Sequence, residues 1–427
     1  DWGGDTVASN STYLSVAGSN QVYTSTNIPV DGSVDQSTTP MDIFSTERYD
    51  NATGAPNLTY SFPAAQNGSD IRLLKHIFTP EEAEIACHLT YEFESLDILF
   101  PRLKNRVDSL EILQKILHRI QKKGGLESRV RNGQYQYCNS PLVVGMYEMQ
   151  MERMSPAFLK DFDDYTASIG FGKDFLGTKL PQMRTIPIGK SIPIESSVST
   201  FDEVTGLIAG AAGPFVIVEC ICRKKNEMQG SPCKVTRRTE TCLAMGDMAQ
   251  ACLIGGAGRE ITREGAMVLL DKNQKQGLVL QPSNTEKPEF ICSCCGCCCG
   301  MLSLHQKLPK PLDFWSSNFQ AGLDMELCNG CGVCEQRCQV KAIKVAGDPP
   351  RAHLDLNLCL GCGMCVTTCA TKALSLVKKE KITRPPKDRE ELNAILMKNR
   401  KGPLGKAALA GKLLKDMVQT GRTGILK

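Results

Sequence analysis

The sequence predicts an α+β chain of several domains, on three observations. Residues 70–145 carry three helix signals followed by a hairpin signal. Residues 201–320 mix short apolar runs, a capped helix and a crowd of cysteines. Residues 321–378 write one cysteine pattern twice. A chain of 427 residues suits about three folded domains.

The first helix signal is Thr79-Pro80-Glu81-Glu82, with Thr79 as N-cap, Pro80 in the first turn and Glu82 closing a capping box. A second helix starts near Ser95, with Pro101 inside it or ending it. The third runs from Leu110 to Lys122, with Leu110, Leu113, Ile116, Leu117 and Ile120 on one face. Gly124-Gly125 ends it, and Asn132-Gly133 between alternating flanks marks a β-hairpin. Three helices and a hairpin read as a winged-helix-like domain. Such a domain reads DNA or serves for docking; Lys115, His118, Arg119, Lys122 and Lys123 are the bases a recognition helix would use.

Eight of the 21 cysteines form the doubled pattern. Cys328, Cys331, Cys334 and Cys338 read C-x2-C-x2-C-x3-C, and Cys359, Cys362, Cys365 and Cys369 repeat it 31 residues later. This is the ligand run of a bacterial dicluster ferredoxin, in which the fourth cysteine of each run ligates the other cluster. Cluster 1 is expected on Cys328, Cys331, Cys334 and Cys369, and cluster 2 on Cys359, Cys362, Cys365 and Cys338. The repeat extends to Asp324/Asp355, Gly330/Gly361, Gly332/Gly363 and Lys341/Lys372. Gln339 and Ala370 stand where proline usually follows the fourth cysteine. A pair of zinc sites is the competing reading, but zinc rarely uses this interleaved run of eight.

Ten further cysteines lie within 80 residues: Cys220, Cys222, Cys233, Cys242, Cys292, Cys294, Cys295, Cys297, Cys298 and Cys299. Crowded thiols without a metal are liable to oxidise, so a metal is the physical default. Four thiolates suffice for one 4Fe–4S cube, and ten could hold two. One or two additional 4Fe–4S clusters are the expectation, with zinc or a redox dithiol site as alternatives. A strand over Phe215–Val218 leads into the field, and a helix from Arg263 to Gln274, capped by Thr262, connects its two groups. Arg223, Lys224, Lys225, Lys234, Arg237 and Arg238 make the field basic. They would offset thiolate charge or meet an acidic partner. Cys87, Cys138 and Cys252 stand alone and read as core residues.

The expected organisation is therefore a disordered extension over 1–69, the winged-helix-like domain over 70–145 and a helical and extended connection over 146–200. A cysteine-rich α/β metal-binding domain follows over 201–320, then the dicluster ferredoxin domain over 321–378 and a disordered basic tail over 379–427. Net charge is +4 overall but polarised: seven acids against one base in residues 1–69, and 14 Lys/Arg against five Asp/Glu in residues 378–427. The first stretch lacks helical periodicity and cannot bury enough apolar surface to fold. Its four N-x-S/T sequons, at Asn10, Asn51, Asn57 and Asn67, read as chance in a Ser/Thr/Asn-rich stretch. No run reaches 18 apolar residues, so no membrane span is expected. Cysteines at metal-ligand spacing point to a reducing, cytoplasmic compartment. The chain begins without Met, so its start lies upstream or Met41 is the native start.

Phe78-Thr-Pro-Glu-Glu-Ala-Glu84, Pro141-Leu-Val-Val-Gly145, Cys220-Ile-Cys-Arg223, Gln281-Pro-Ser-Asn284, Ile291-Cys-Ser-Cys-Cys-Gly-Cys-Cys-Cys299 and the two ferredoxin runs follow one another along the chain. In that order they resemble the multidomain 4Fe–4S ferredoxin-type binding proteins of anaerobic bacteria and archaea. The resemblance covers roughly residues 70–390. It implies single-electron transfer within anaerobic redox complexes and carries the Cys220 and Cys292 groups as cluster ligands.

The function expected is an iron–sulfur electron carrier that passes single electrons between a donor and an acceptor protein and has no substrate chemistry of its own. Gly255-Gly256-Ala257-Gly258 lacks the spacing of a dinucleotide fingerprint. Two other classes compete: a redox-sensing winged-helix DNA-binding regulator, and a thiol–disulfide oxidoreductase subunit using the second cysteine field.

Overall fold

The computed structural model describes residues 12–14, 22–24, 48–49, 56–57, 62–63, 65–178, 180–191, 200–399 and 401–426. The first 61 positions contribute two short strand pairs, β1 (Thr12–Leu14) with β2 (Val22–Thr24) and β3 (Arg48–Tyr49) with β4 (Pro56–Asn57). The rest of the expected disordered extension, up to position 61 and at 64, lies outside the described residues, but its end is folded: Phe62 is buried and stacks on Tyr165 with ring centroids 4.5 Å apart, and Ser69 opens the first helix. The chain divides into two compact units: residues 1–176 with 254–257, and residues 177–253 with 258–427.

The first unit opens with α1 (Ser69–Lys75) and α2 (Pro80–Ala86). The capping box of α2 forms as its sequence dictates: the Glu82 N–H donates to Thr79 Oγ1 at 3.3 Å and the Thr79 N–H to Glu82 Oε2 at 2.9 Å. Strand β5 (Glu94–Ser95) and α3 (Leu96–Leu103) follow, and α3 keeps Pro101 inside it. Helix α4 (Leu110–Lys122) buries Leu113, Ile116, Leu117 and Ile120, one apolar stripe at helical spacing. Strands β6 (Leu126–Arg131) and β7 (Gln134–Asn139) form the hairpin, turned at Asn132 and Gly133, both with positive φ. β5 pairs with β7, so the small sheet runs β5-β7-β6. Helices α5 (Pro156–Thr166) and α6 (Ile169–Phe175) complete the unit. Arg72 of α1 bonds Asp161 of α5 at 2.7 Å.

The second unit is built on a five-stranded antiparallel sheet. Its strands are β8 (Phe215–Glu219), β9 (Glu240–Met245), β10 (Arg259–Ile261), β11 (Val279–Pro282) and β12 (Phe290–Cys294), in the order β10-β8-β9-β12-β11. Helices α7 (Val204–Gly210) and α10 (Arg263–Lys275) cover one face. Leu207, Ile208, Ala266, Leu269 and Leu270 pack there on Phe215, Ile217, Leu243, Met245 and Ile291. Alternation along a strand then sends the intervening residues to the other face. On β9 and β12 those residues are Cys242, Cys292 and Cys294. The starts of α8 (Ile221–Met228) and α11 (Gly300–Lys307) meet that face through Cys220, Cys222 and Cys299, while α9 (Gly246–Ile254) follows β9 in the chain.

The described part of the 146–200 connection includes a strap beyond Pro181 that is not free-standing. Met183 and Ile186 bridge to Ser283 and Leu280 at the β11 edge, and Arg184 bridges to Ser316. Arg184 is buried and pairs with Asp202 at 2.9 Å; Asn318 Nδ2 donates to the same carboxylate at 2.7 Å.

Beyond Ser317 the chain folds as a duplicated unit. Strands β13 (Phe319–Leu323) and β16 (Leu374–Lys378) form one pair, β14 (Ile343–Ala346) and β15 (Arg351–Leu354) the other. A short helix, α12 (Val333–Arg337), follows the first cysteine loop, and a 3-10 turn, Val366–Thr368, follows the second. The halves interlock symmetrically: the Asp324 N–H donates to Ala373 O and the Asp355 N–H to Ala342 O, both at 2.8 Å.

The stretch expected to be a disordered basic tail is helical and packed. Helix α13 (Arg389–Lys398) is capped by Asp388 and buries Leu392, Leu396 and Met397; α14 (Pro403–Thr420) contributes Leu409 and Met417 to the interior. Asp416 pairs with Lys310 at 2.8 Å, Lys412 pairs with Asp313, and Arg422 Nη2 donates to Gln306 O at 2.8 Å. The positive count hid this. The leucines recur at helical spacing, and several bases meet acids on the body of the unit.

Candidate metal centres

The duplicated unit brings its eight cysteines into two crossed groups. Cys328, Cys331 and Cys334 line one cavity together with Cys369, the last cysteine of the other run. Cys338 lies instead in the electrostatic neighbourhood of Cys359, Cys362 and Cys365. Each loop is drawn tight by glycines at positive φ: Gly330 and Gly332 in the first, Gly361 and Gly363 in the second. A Cβ on Gly361 would stand 2.0 Å from Phe319 O, so that loop admits no side chain there. Lys341 and Lys372, matched in the repeat, share a positive φ of 59° and 57°.

The site fits clusters because backbone donors already aim at the sulfurs. The N–H groups of Ala342, Ala321 and Ala352 approach Cys338, Cys359 and Cys328 Sγ at 3.1, 3.3 and 3.4 Å. Burial pushes the Cys362 thiol up to about 12. Thiolates in such a place require a cation to hold their charge, which bound iron supplies. The groups differ in exposure: Cys331 is exposed, whereas Cys359 and Cys365 are buried. The strap crosses the second loop, with the Ile188 N–H donating to Cys362 O at 3.1 Å and Ser191 against Gly363.

The ten-cysteine field does not converge on one spot. Six of its thiols form a closed chain of electrostatic neighbours: Cys220 to Cys222, Cys222 to Cys299, Cys299 to Cys294, Cys294 to Cys292, Cys292 to Cys242, and Cys242 back to Cys220. Three come from the sheet face, two from the β8–α8 junction and one from the N-cap of α11. The other four, Cys233, Cys295, Cys297 and Cys298, form a second group with all their sulfurs within 4.8 Å of one another, against which Cys222 of the first group packs. They come from the loop after α8 and the loop after β12.

Arg223 of α8 joins the two groups. It is buried, its guanidinium bonding Thr241 Oγ1, Ser293 O at 2.9 Å and Cys295 Sγ at 3.9 Å. The Cys295 thiol is drawn down to about 5, first by its hydrogen bond with Cys298 and, against the cost of burial, by the Arg223 charge. A buried guanidinium beside thiols favours their ionised form. By sequence alone Arg223 is one of six bases in the field; its burial and its bonds to the thiol group are tertiary. Cys87, Cys138 and Cys252 are buried.

In the first unit, the recognition-helix bases are mostly engaged. Arg119 bonds the buried Glu82 at 2.7 Å and Lys123 pairs with the same carboxylate. His118 packs edge-on against Tyr135 with ring centroids 4.8 Å apart. Lys115 and Lys122 remain exposed.

A family model described as a 4Fe-4S binding domain matches residues 321–344, which hold the whole first run from Cys328 to Cys338. Neither a curated protein nor a solved structure matches the chain. The class that fold and site define is an iron–sulfur protein with a ferredoxin-like C-terminal region. Such proteins commonly pass electrons to redox partners. No described helix is long and apolar enough to cross a membrane.

Proposed function

We propose that the chain is a multicluster electron carrier, passing single electrons between a donor and an acceptor protein of anaerobic metabolism. The observation that carries this reading is the crossed grouping of Cys328, Cys331, Cys334 with Cys369 and of Cys359, Cys362, Cys365 with Cys338. Each group would hold one 4Fe–4S cluster. The six-thiol chain of Cys220, Cys222, Cys242, Cys292, Cys294 and Cys299 would hold a further iron–sulfur centre.

Exposure supports a direction of entry. Cys331 reaches the surface beside the exposed Leu327 and Val333, an apolar rim suited to transient docking of a redox partner. The second group is covered by the strap and continues through Cys338 and Gln339 toward the cysteine-rich sheet. Electrons would enter at the first cluster and move inward.

The α2-β5-α3-α4-β6-β7 order of the first unit supports a winged-helix-like domain. With Arg119 and Lys123 committed to Glu82, we read it as a docking or structural module rather than a reader of DNA. Anaerobic purification with iron and acid-labile sulfide analysis tests the main reading. Sulfide-free protein would defeat it, and salt-sensitive retardation of duplex DNA would move the first unit to the regulator class.

A further inference from the structure

We infer that Cys233, Cys295, Cys297 and Cys298 form a closed tetrathiolate site for one tetrahedral ion, zinc or iron, and not part of an iron–sulfur cube. The argument is metric. Cys233 Sγ lies 3.6 Å from Cys295 Sγ and 3.8 Å from Cys297 Sγ, and Cys297 Sγ lies 3.6 Å from both Cys295 Sγ and Cys298 Sγ. A metal–sulfur bond of about 2.3 Å in a regular tetrahedron sets sulfurs about 3.8 Å apart. In a cube each thiolate binds a different iron and points outward, so the four sulfurs spread well beyond the 4.8 Å that contains this set. The sequence could not show it, because Cys233 arrives from a loop more than 60 residues away from its partners.

The surroundings suit a charged tetrathiolate. Four thiolates on a divalent ion leave two negative charges, and the buried Arg223 stands against Cys295 to offset them. Leu278 and Val235 pack against the cluster and keep it dry on one side, while Cys297 is exposed on the other. With all four positions taken by protein, the ion has no open site for substrate. Zinc there would lock the loop after α8 to the loop after β12. Iron there would add a one-electron centre.

The site also sits beside the duplicated unit. Gly296, between Cys295 and Cys297, donates its N–H to Gln339 Oε1 at 2.8 Å, and Gln339 follows Cys338. An iron-loaded site would thus extend the path inward, whereas a zinc-loaded one would brace the contact.

The test uses the full chain purified without oxygen. X-ray absorption at the zinc and iron edges and elemental analysis are read on wild type, Cys297→Ser and Cys233→Ser. The expected wild-type result is one equivalent of zinc in a shell of four sulfurs, with no neighbouring metal. If iron fills the site instead, each variant should lose one iron and a high-spin ferric signal, with sulfide unchanged. In either case the variants lose that single equivalent while cluster absorbance and acid-labile sulfide stay at wild-type levels. Loss of several irons with matching sulfide in Cys233→Ser would overturn the inference. So would wild-type protein with neither a zinc equivalent nor iron in excess of sulfide. Failure of the iron–sulfur reading would instead appear as absent sulfide in wild type, a separate readout.

Discussion

Gln339 accepts the Gly296 N–H on its side chain and, through its main-chain oxygen, the Gln306 amide at 3.0 Å. One residue therefore ties the end of the first doubled-run cysteine segment to the cysteine loop of the sheet and to α11. The proline usual after the fourth cysteine has no side-chain acceptor, so the departure at this position has a structural use. Replacing Gln339 by Ala should leave the Gly296 N–H without its partner and lower stability by about 1 kcal/mol. Gly296→Ala should cost more, since its Cβ would stand 2.0 Å from Gln339 O. Thermal unfolding of the two variants under argon checks the order. Equal midpoints to wild type would deny the contact any role.

Cys338→Ser should damage the cluster of Cys359, Cys362 and Cys365 and spare the one nearer in sequence. The cavity that Cys328, Cys331 and Cys334 share with Cys369 is the reason. Electron paramagnetic resonance of the reduced variant, paired with Cys369→Ser, distinguishes the two assignments. Loss of the same signal in both variants would refute the crossing.

Deletion of residues 395–427 should destabilise the second unit. Leu396, Met397, Leu409 and Met417 are buried, and each fully buried side chain of this size contributes roughly 1.5–3 kcal/mol. The truncated chain should melt lower and release iron faster at a fixed temperature. An unchanged midpoint would show that α14 adds nothing to the fold.

Glu82 should make the first unit acid-sensitive. Burial raises its pKa, but its bonds with Lys123, Thr79 and Arg119 outweigh that, so the folded value lies below the usual carboxylate range. Its contribution is therefore present above the unfolded pKa and lost as pH falls through the folded one. Protection of the α2 and α4 amides, taken relative to their intrinsic exchange rates at each pH, should fall toward acid pH in wild type and start low in Glu82→Gln. Because Arg119 is half exposed, the substitution should cost what losing a hydrogen bond to a charged group costs, about 1.5–3 kcal/mol. A flat pH profile in wild type would contradict this.

How much of this was legible depended on whether the signal was local. The capping box of Thr79 and Glu82, the α4 stripe and the Asn132-Gly133 turn are local, and each formed where its residues placed it. The doubled cysteine run carries its own geometry in its spacing. The ten-cysteine field does not. Its division depends on the pleat of β12, which turns Cys292 and Cys294 to one face before the chain leaves the sheet at Cys295. It depends also on a loop that brings Cys233 from far away. The alternation Cys292-Ser293-Cys294 was a readable strand signal, and Asp388 with Glu391 was a readable helix start, but net charge masked the second. The pairing of Arg119 and Lys123 with Glu82 is tertiary, so no pattern announced that those bases were spoken for.

The central claim is that this chain carries electrons on iron–sulfur clusters. It is tested most directly by iron and acid-labile sulfide per chain, with electron paramagnetic resonance of the dithionite-reduced protein, purified without oxygen. The account predicts two magnetically interacting 4Fe–4S clusters and more iron than those two hold. A colourless chain with zinc in place of iron, and no acid-labile sulfide, would contradict it.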